Sequence, residues 1–553
     1  MENSNQKLPA SLEIQRRVKT IEELCERMTP FGFSGTVFIS HDNNILLNKG
    51  YGYRDFEQHL PMQADTIMSL GSVSKQMTAV LILQLLDQGL LSLDDTLDQY
   101  LSLSAPAGKL TLHTLLNHTS GLPSILGFDF DEIHPPEFLK LVDTTQLEFD
   151  EAGSQFSYSN VGYSLLALVV EKISNTPFIN QLQQLFNSVG ITSGSSFGDP
   201  RYNSDNAAVY YVNGERQGAV FEWAGNWDPD HPRWHLLGNG GVCINHQDMY
   251  IYLQALFKDK LISDSALSKM ITPGLNDYGY GWDIIETPLG TMIRHDGGSD
   301  AGVGHITRYY TDLDLTVLIS SNTILNGKQS GFVVEDILQM ILDDEPVELP
   351  PYVTPNLSNE VLPSQTYQVS GIKEHIRLQS LPYSPMLLTV ESQALINKLL
   401  HIDPSTQLIY EKMNNKLQKF GKHMLQRQWD LAFQAADRKT ENEERIETLE
   451  NLIHFFEEQE GKLDHIQIGG TIPSTEFLAE TSLQLVSTLG KKAVIPFVWK
   501  NPQTFLGFYP LLRTHVLLYL AVFQEDMVIA YSPISYQSVR FSYDSTSKTL
   551  TIL

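Results

Sequence analysis

Residues 70–88, LGSVSKQMTAVLILQLLDQ, open on Leu70-Gly71-Ser72-Val73-Ser74-Lys75 and run into an almost unbroken apolar segment. Met77, Val80, Leu81, Ile82, Leu83, Leu85 and Leu86 put apolar groups on nearly every face of a helix, and such a helix is buried in the middle of a domain. Gly89 supplies a C-terminal stop. Ser72 and Lys75 stand at i and i+3, so they share one face. A serine hydroxyl is a poor nucleophile until a base takes its proton. Lys75 is that base if burial or positive neighbours lower its pKa from about 10.4 towards neutrality. Ser72 opens the helix, where free N–H groups favour a developing oxyanion.

Three other Ser-x-x-Lys matches occur, at Ser4 to Lys7, Ser370 to Lys373 and Ser545 to Lys548. Context separates them. Ser4 lies in a polar tail, Ser545 in a hairpin turn, and Ser370 outside any helix the pattern supports. Only Ser72 opens a long apolar helix after a hairpin.

Working outward, residues 11–28 read as an amphipathic helix. Residues 35–40 and 45–48 read as a hairpin around His41-Asp42-Asn43-Asn44. Downstream, helices dominate to about residue 189. Asn245 is an expected N-cap. Strands return at 279–284, 291–294, 305–310 and 315–319, and a helix follows at 332–342.

Two further elements carry chemistry. Tyr158-Ser159-Asn160 precedes a helical run from Val161. A tyrosine near a lysine can shuttle a proton, since the cation stabilises the phenolate, and the Asn160 amide both donates and accepts. The bland alternative for Tyr158 is a buried tyrosine with a satisfied hydroxyl. A second Tyr-x-Asn, Tyr211 to Asn213, reads as a polar loop or edge strand. His295-Asp296-Gly297-Gly298 holds the only His-x-Gly in the chain and closes the strand expected at 291–294. Glycines there admit a substrate backbone; the alternative is a glycine-rich hairpin loop.

Taken together and in this order, the three elements resemble the serine β-lactamase and penicillin-binding superfamily. The likeness is strongest to class C-like esterases and D-stereospecific peptidases, and it covers about residues 34–343. Leu115-Leu116-Asn117-His118-Thr119-Ser120-Gly121-Leu122, the text around Tyr158, and Gly240-Gly241-Val242 with Asp248 are similar to family landmarks. The resemblance implies an α+β fold, an antiparallel sheet flanked by helices with a helical subdomain. It implies that Ser72 forms an acyl-enzyme and that Lys75 and Tyr158 share base and acid duties. Asn160 would help hold Lys75, and the N–H groups of Ser72 and Gly298, beside Gly297, would form the oxyanion hole. His295 would line the opposite wall and orient Tyr158 or the substrate. There are departures: no Lys-Thr-Gly or Lys-Ser-Gly occurs, and His295 stands where many relatives carry a lysine. A histidine is largely neutral at pH 7, so efficient antibiotic hydrolysis is not expected. Asp296 is expected to add negative charge near the site.

Composition narrows the remaining choices. The 553 residues exceed what one core supports, and the formal net charge is −27. Such a surface repels phosphate backbones and anionic lipid headgroups, so neither nucleic acid nor membrane is an expected partner. Cys25 and Cys243 form neither a disulfide framework nor a metal pattern. Asp228, Asp230, His231 and His235 look like ligands on paper. They read better as a loop near the site, among Trp223, Trp227 and Trp234, so no metal or cofactor is expected. The polar N-terminus points to the cytoplasm, or to a periplasmic or secreted location if a signal was removed.

A proline-rich stretch at 346–363 reads as a linker between a catalytic domain, 1–345, and a β-rich C-terminal domain, 364–553. The latter contains a helix at 440–460 and short strands at 483–486, 493–499, 504–509, 516–523, 527–531, 539–543 and 549–553. Its basic run, Lys412, Lys416, Lys419, Lys422 and Arg427, reads as a solvated face. That domain is a candidate for homo-oligomer contacts. The expected partner of the site is a small-molecule or peptide ester or amide. The rival reading is a non-catalytic penicillin-binding or scaffolding protein that kept the fold.

Overall fold

The computed structural model describes residues 10–127, 131, 133–196, 205–224, 234–259, 261–325, 328–353, 362, 364–370, 375–381, 385–390, 392–435, 443–473, 479–501, 504–508, 517–524, 527–532 and 538–553. The chain divides into two compact units, Met1–Thr29 with Phe33–Pro346, and Pro30–Gly32 with Val347–Leu553.

The first unit is built on a six-stranded antiparallel sheet. Its strands are β1 (Gly35–His41), β2 (Asn44–Tyr51), β3 (Asp283–Thr287), β4 (Gly290–Gly298), β5 (Gly304–Tyr310) and β6 (Leu315–Ser321), in the order β2-β1-β6-β5-β4-β3. The central strands β1, β5 and β6 are buried along their whole length. That is why β1 and β6 read as largely apolar runs rather than as alternation, while β5 buries His305, Thr307 and Arg308 among its apolar residues. Helices α1 (Ala10–Met28) and α5 (Ser330–Leu342) pack on each other and on this sheet. The large core holds α2 (Lys75–Asp87), α3 (Asn160–Ser174) and α4 (His246–Phe257), with α2 packed on α3. Asn245 caps α4 by accepting from the Asp248 N–H at 2.8 Å.

Two boundaries differ from the sequence expectation, and both matter to the site. Residues 279–282 turn, with Gly281 at φ +77°, so β3 begins only at Asp283. Strand β4 does not stop at Arg294: it stays paired with β5 through Gly298↔Gly304. Glycine weakens a strand by its entropy. Here β5 offers partners up to Gly304, and the missing side chains let β4 pass close against residues 70–72.

The second unit holds a closed seven-stranded barrel: Gln365–Val369, His375–Gln379, Met386–Val390, Leu517–Gln524, Met527–Tyr531, Ser538–Asp544 and Thr549–Ile552. Parallel pairing of its first and last strands closes it. Inserted in the chain between the third and fourth barrel strands are helices and a four-stranded antiparallel sheet. The sheet comprises Leu463–Pro473, Ala479–Ser487, Lys492–Asn501 and Thr504–Phe508. The sequence reading anticipated one helix here; four are present among the described residues, Gln393–Leu399, Pro404–Leu425, Trp429–Ala435 and Glu443–Glu460. The lysine run at 412–422 lies on the second of them. Positions 440–442, and the linker prolines 355 and 363, lie outside the described residues.

Candidate active site

Ser72 sits in a single 3-10 turn, Gly71–Ser74, that leads directly into α2. The helix thus starts at Lys75 rather than at Ser72. Two glycines bring this turn against the tip of β4. Gly71 has φ +51°, and a Cβ there would stand 2.7 Å from the Gly298 nitrogen. A Cβ on Gly297 would stand 1.9 Å from the Leu70 carbonyl oxygen and 2.9 Å from the Ser72 nitrogen. The Ser299 N–H donates to the Val303 carbonyl at 3.2 Å. The alternation of an antiparallel ladder therefore turns the Gly298 N–H away from β5 and towards Gly71. The Ser72 N–H belongs to a first helical turn, which leaves such groups without an intrahelical acceptor. The Ser72 and Gly298 N–H groups thus lie where the serine turn meets the tip of β4; paired backbone donors beside a nucleophile can stabilise a tetrahedral oxyanion.

Lys75 lies directly behind the serine and is wholly buried. Its Nζ is 3.0 Å from Ser72 Oγ, 2.6 Å from Asn160 Oδ1 and 2.8 Å from the Asn239 carbonyl oxygen. Burial drives the amine well below the usual lysine range. A neutral amine has two N–H groups and one lone pair. With the two carbonyl oxygens taking both of those N–H groups, a neutral Lys75 would turn its lone pair to the Ser72 hydroxyl, its third neighbour. Asn160 reaches Lys75 because Ser159 caps α3, accepting from the Gly162 N–H at 3.1 Å, while the Asn160 N–H donates to the Ser124 carbonyl at 2.9 Å.

The Tyr158 ring lies 4.9 Å from Lys75 Nζ. Burial raises its phenol above the ordinary tyrosine value, a hydrogen bond with Ser72 partly offsets this, and Asp283 and Asp296 push it further up. The resting side chain is therefore a phenol. His118 lies against it with ring centroids 4.2 Å apart, and the His118 Nδ1 accepts the Ser159 N–H at 3.1 Å.

The His295 ring lies with its centroid 6.3 Å from that of Tyr158. Its Nε2 accepts from the Tyr278 hydroxyl at 3.1 Å, and its Nδ1 donates to the Asp296 carbonyl at 2.7 Å. Burial first, then Lys75, lowers its pKa to about 4, so the ring is neutral. The Asp296 carboxylate is not a free charge either: Arg308 donates to it and, at 2.9 Å, to Glu335. Burial alone would raise that carboxyl, but Arg308 outweighs it and holds it below its usual range.

Ser72, Asn160 and Gly298 line one cleft, which encloses about 900 Å³ including its open mouth. The sequence reading missed Asn239 and Tyr278 and treated His118 only as a landmark. Asn239 acts through a backbone carbonyl, which carries no residue signature. Tyr278 precedes a strand whose start was misplaced. The second Tyr-x-Asn belongs elsewhere: Tyr211 is buried in the strand Val209–Val212, and its hydroxyl accepts the Phe56 N–H at 3.0 Å. His235 lines the cleft, and its carbonyl accepts from Asn239 Nδ2 at 2.6 Å. Asp228, Asp230, His231 and the side chains of Trp223, Trp227 and Trp234 lie outside the described residues.

A glycine-strained serine turn, a buried lysine and a tyrosine meeting at the end of an antiparallel sheet define a penicillin-recognising type of site. The sequence model of the family described as Beta-lactamase matches residues 28–329, more than half of the chain, and the protein belongs to that family. PbpX of Bacillus subtilis (strain 168), provisionally named a penicillin-binding protein, is 26% identical over 332 residues, 59% of this chain and 81% of its own. Among solved structures, the octameric penicillin-binding protein homologue from Pyrococcus abyssi aligns over 96% of each chain at 18% identity and a TM-score of 0.50. SurE aligns over 92% of this chain and 99% of its own, at 17% identity and a TM-score of 0.51. At such identities these two likenesses speak to the fold alone. Among the described residues no helix is long and apolar enough to cross a membrane.

Proposed function

We propose that the protein is a serine hydrolase, class C-like in its machinery, that acts through an acyl-enzyme on an ester or amide. In this reading residues 1–345 carry the chemistry. The neutral Lys75 amine takes the Ser72 proton as Oγ attacks the carbonyl carbon. The N–H groups of Ser72 and Gly298 hold the oxyanion, a contribution of about 3–4 kcal/mol per donor in acyl transfer. The Tyr158 phenol delivers a proton to the leaving group and recovers it through Lys75. Water then repeats the sequence on the acyl-enzyme. The neutral His295 favours esterase or D-peptidase chemistry over efficient β-lactam hydrolysis.

The observation that carries this reading is the Lys75 amine, held between two carbonyl oxygens with the Ser72 hydroxyl as its third neighbour. Burying an amine is costly, and a scaffold with no chemistry to perform has no use for it. The test is intact-mass spectrometry after treatment with a fluorophosphonate, with peptide mapping. One adduct on Ser72, absent in Ser72→Ala, together with loss of ester turnover in Ser72→Ala and Lys75→Ala, is the expected result. Adduct without any substrate turnover would return the protein to the scaffolding reading.

A further inference from the structure

The cleft in front of Ser72 combines the polar groups of Ser72, Asn160, Asn239 and Ser299 with a run of aliphatic side chains. Ile125, Leu126, Val161, Val220, Leu236 and Val303 supply apolar surface. Ile125, 51% exposed, is among the residues that line it. Among the described residues, no Lys, Arg, Asp or Glu lines the cleft. Two charges behind the cleft are already engaged. Lys75 is turned onto Ser72, Asn160 and Asn239, and Asp296 is held by Arg308. Both ring nitrogens of His295 are occupied. Beside the oxyanion strand stands a neutral amide, Gln329, whose Nε2 would be 3.1 Å from a Cβ on Gly298.

We propose that this cleft selects a substrate whose acyl group is apolar and uncharged: a neutral aliphatic or aryl ester or amide. A substrate with a free carboxylate or a free α-ammonium next to the scissile bond is disfavoured. A charge brought into the cleft would lose water and find no opposite charge among the described lining residues, a penalty that burial of an unpaired ion carries. An alkyl chain there gains by leaving water, at about 0.8 kcal/mol per methylene. The inference rests on the acyl-enzyme reading at Ser72 and adds to it the class of group that Ser72 carries.

The experiment uses the full chain and p-nitrophenyl esters from acetate to octanoate. Two matched pairs accompany them: a hemiglutarate ester against its methyl-capped form, and D-phenylalanine p-nitroanilide against its N-acetyl form. We expect kcat/KM to rise about fourfold per methylene until the wall is filled. The charged member of each pair should run at least about tenfold below its neutral partner. Ile125→Arg, at an exposed position that leaves the core untouched, should narrow the hemiglutarate gap about tenfold and flatten the chain-length series. A flat series in the unsubstituted protein, or a preference for the charged member of either pair, would overturn the proposal. Fluorophosphonate labelling in parallel separates the two ideas. Labelled Ser72 with a flat series removes only the acyl-group assignment, whereas no label and no turnover removes the catalytic reading with it.

Discussion

A side-chain carbon on Gly297 would lie 1.9 Å from the carbonyl oxygen of Leu70, well inside any permitted contact. Strand β4 and the serine turn, far apart in sequence, therefore touch backbone to backbone. That contact sets where the Ser72 and Gly298 N–H groups point. Gly297→Ala is expected to cost about 2–3 kcal/mol by urea denaturation and to lower ester kcat about a hundredfold or more. Gly162→Ala is the contrasting case. Its Cβ would meet Leu115 at an ordinary 3.5 Å inside α3, so it should leave stability unchanged or raise it by up to about 1 kcal/mol.

Burial raises the Tyr158 phenol above the ordinary tyrosine value, and in the proposed mechanism it gives a proton rather than taking the first one. Tyr158→Phe should reduce amide kcat about a hundredfold or more. Fluorophosphonate labelling of Ser72, which releases fluoride and needs little help from an acid, should be slowed far less. Equal losses in both assays would assign Tyr158 the role of base.

Arg308 is buried with two carboxylates, and removing one partner from such a group leaves uncompensated charge. Arg308→Met should cost about 3–5 kcal/mol in chemical denaturation. The triple change Arg308→Met, Asp296→Asn and Glu335→Gln should recover most of that loss.

Four buried histidines have depressed pKa values: His118 and His305 well below the usual range, His246 at about 3 and His295 at about 4, each lowered chiefly by burial. Unfolded, each takes up a proton near pH 6.5. Between that value and the folded value the unfolded chain binds more protons, so acid favours unfolding. Stability contributed by these rings is complete above about pH 6.5 and is lost as pH falls through the folded values. His295 alone accounts for on the order of 3 kcal/mol. Thermal midpoints should fall progressively from pH 7 to pH 4, and His246→Gln should shallow that slope.

Much of the first unit's fold was legible because its signals are local. Ser72 and Lys75 stand three residues apart where a 3-10 turn runs into a helix, and the apolar run behind them announces burial. What sequence could not supply was contact made by backbone, as with the Asn239 carbonyl, or by a ring whose partner lies elsewhere, as with Tyr278 on His295. In the second unit the helix Pro404–Leu425 was missed for a different reason. Asp403 caps it and Tyr410, Met413, Leu417, Phe420 and Met424 repeat at helical spacing. The lysines between them drew attention to charge and away from that stripe. The barrel strands before it are only five residues long, and two lie far in sequence from the partners that close the barrel, so neither period nor turn marked them as a set.

The most direct trial of the account is the pH dependence of the rate at which a fluorophosphonate labels Ser72, in the native chain and in Lys75→Met. An amine kept neutral by burial predicts labelling that is already fast at pH 7. It should fall about tenfold per pH unit below one ionisation well beneath the ordinary lysine value, and Lys75→Met should lose both the rate and that step. If Lys75→Met labels as fast as the native chain, or the native step lies near the ordinary lysine pKa of about 10.4, Lys75 is not the base.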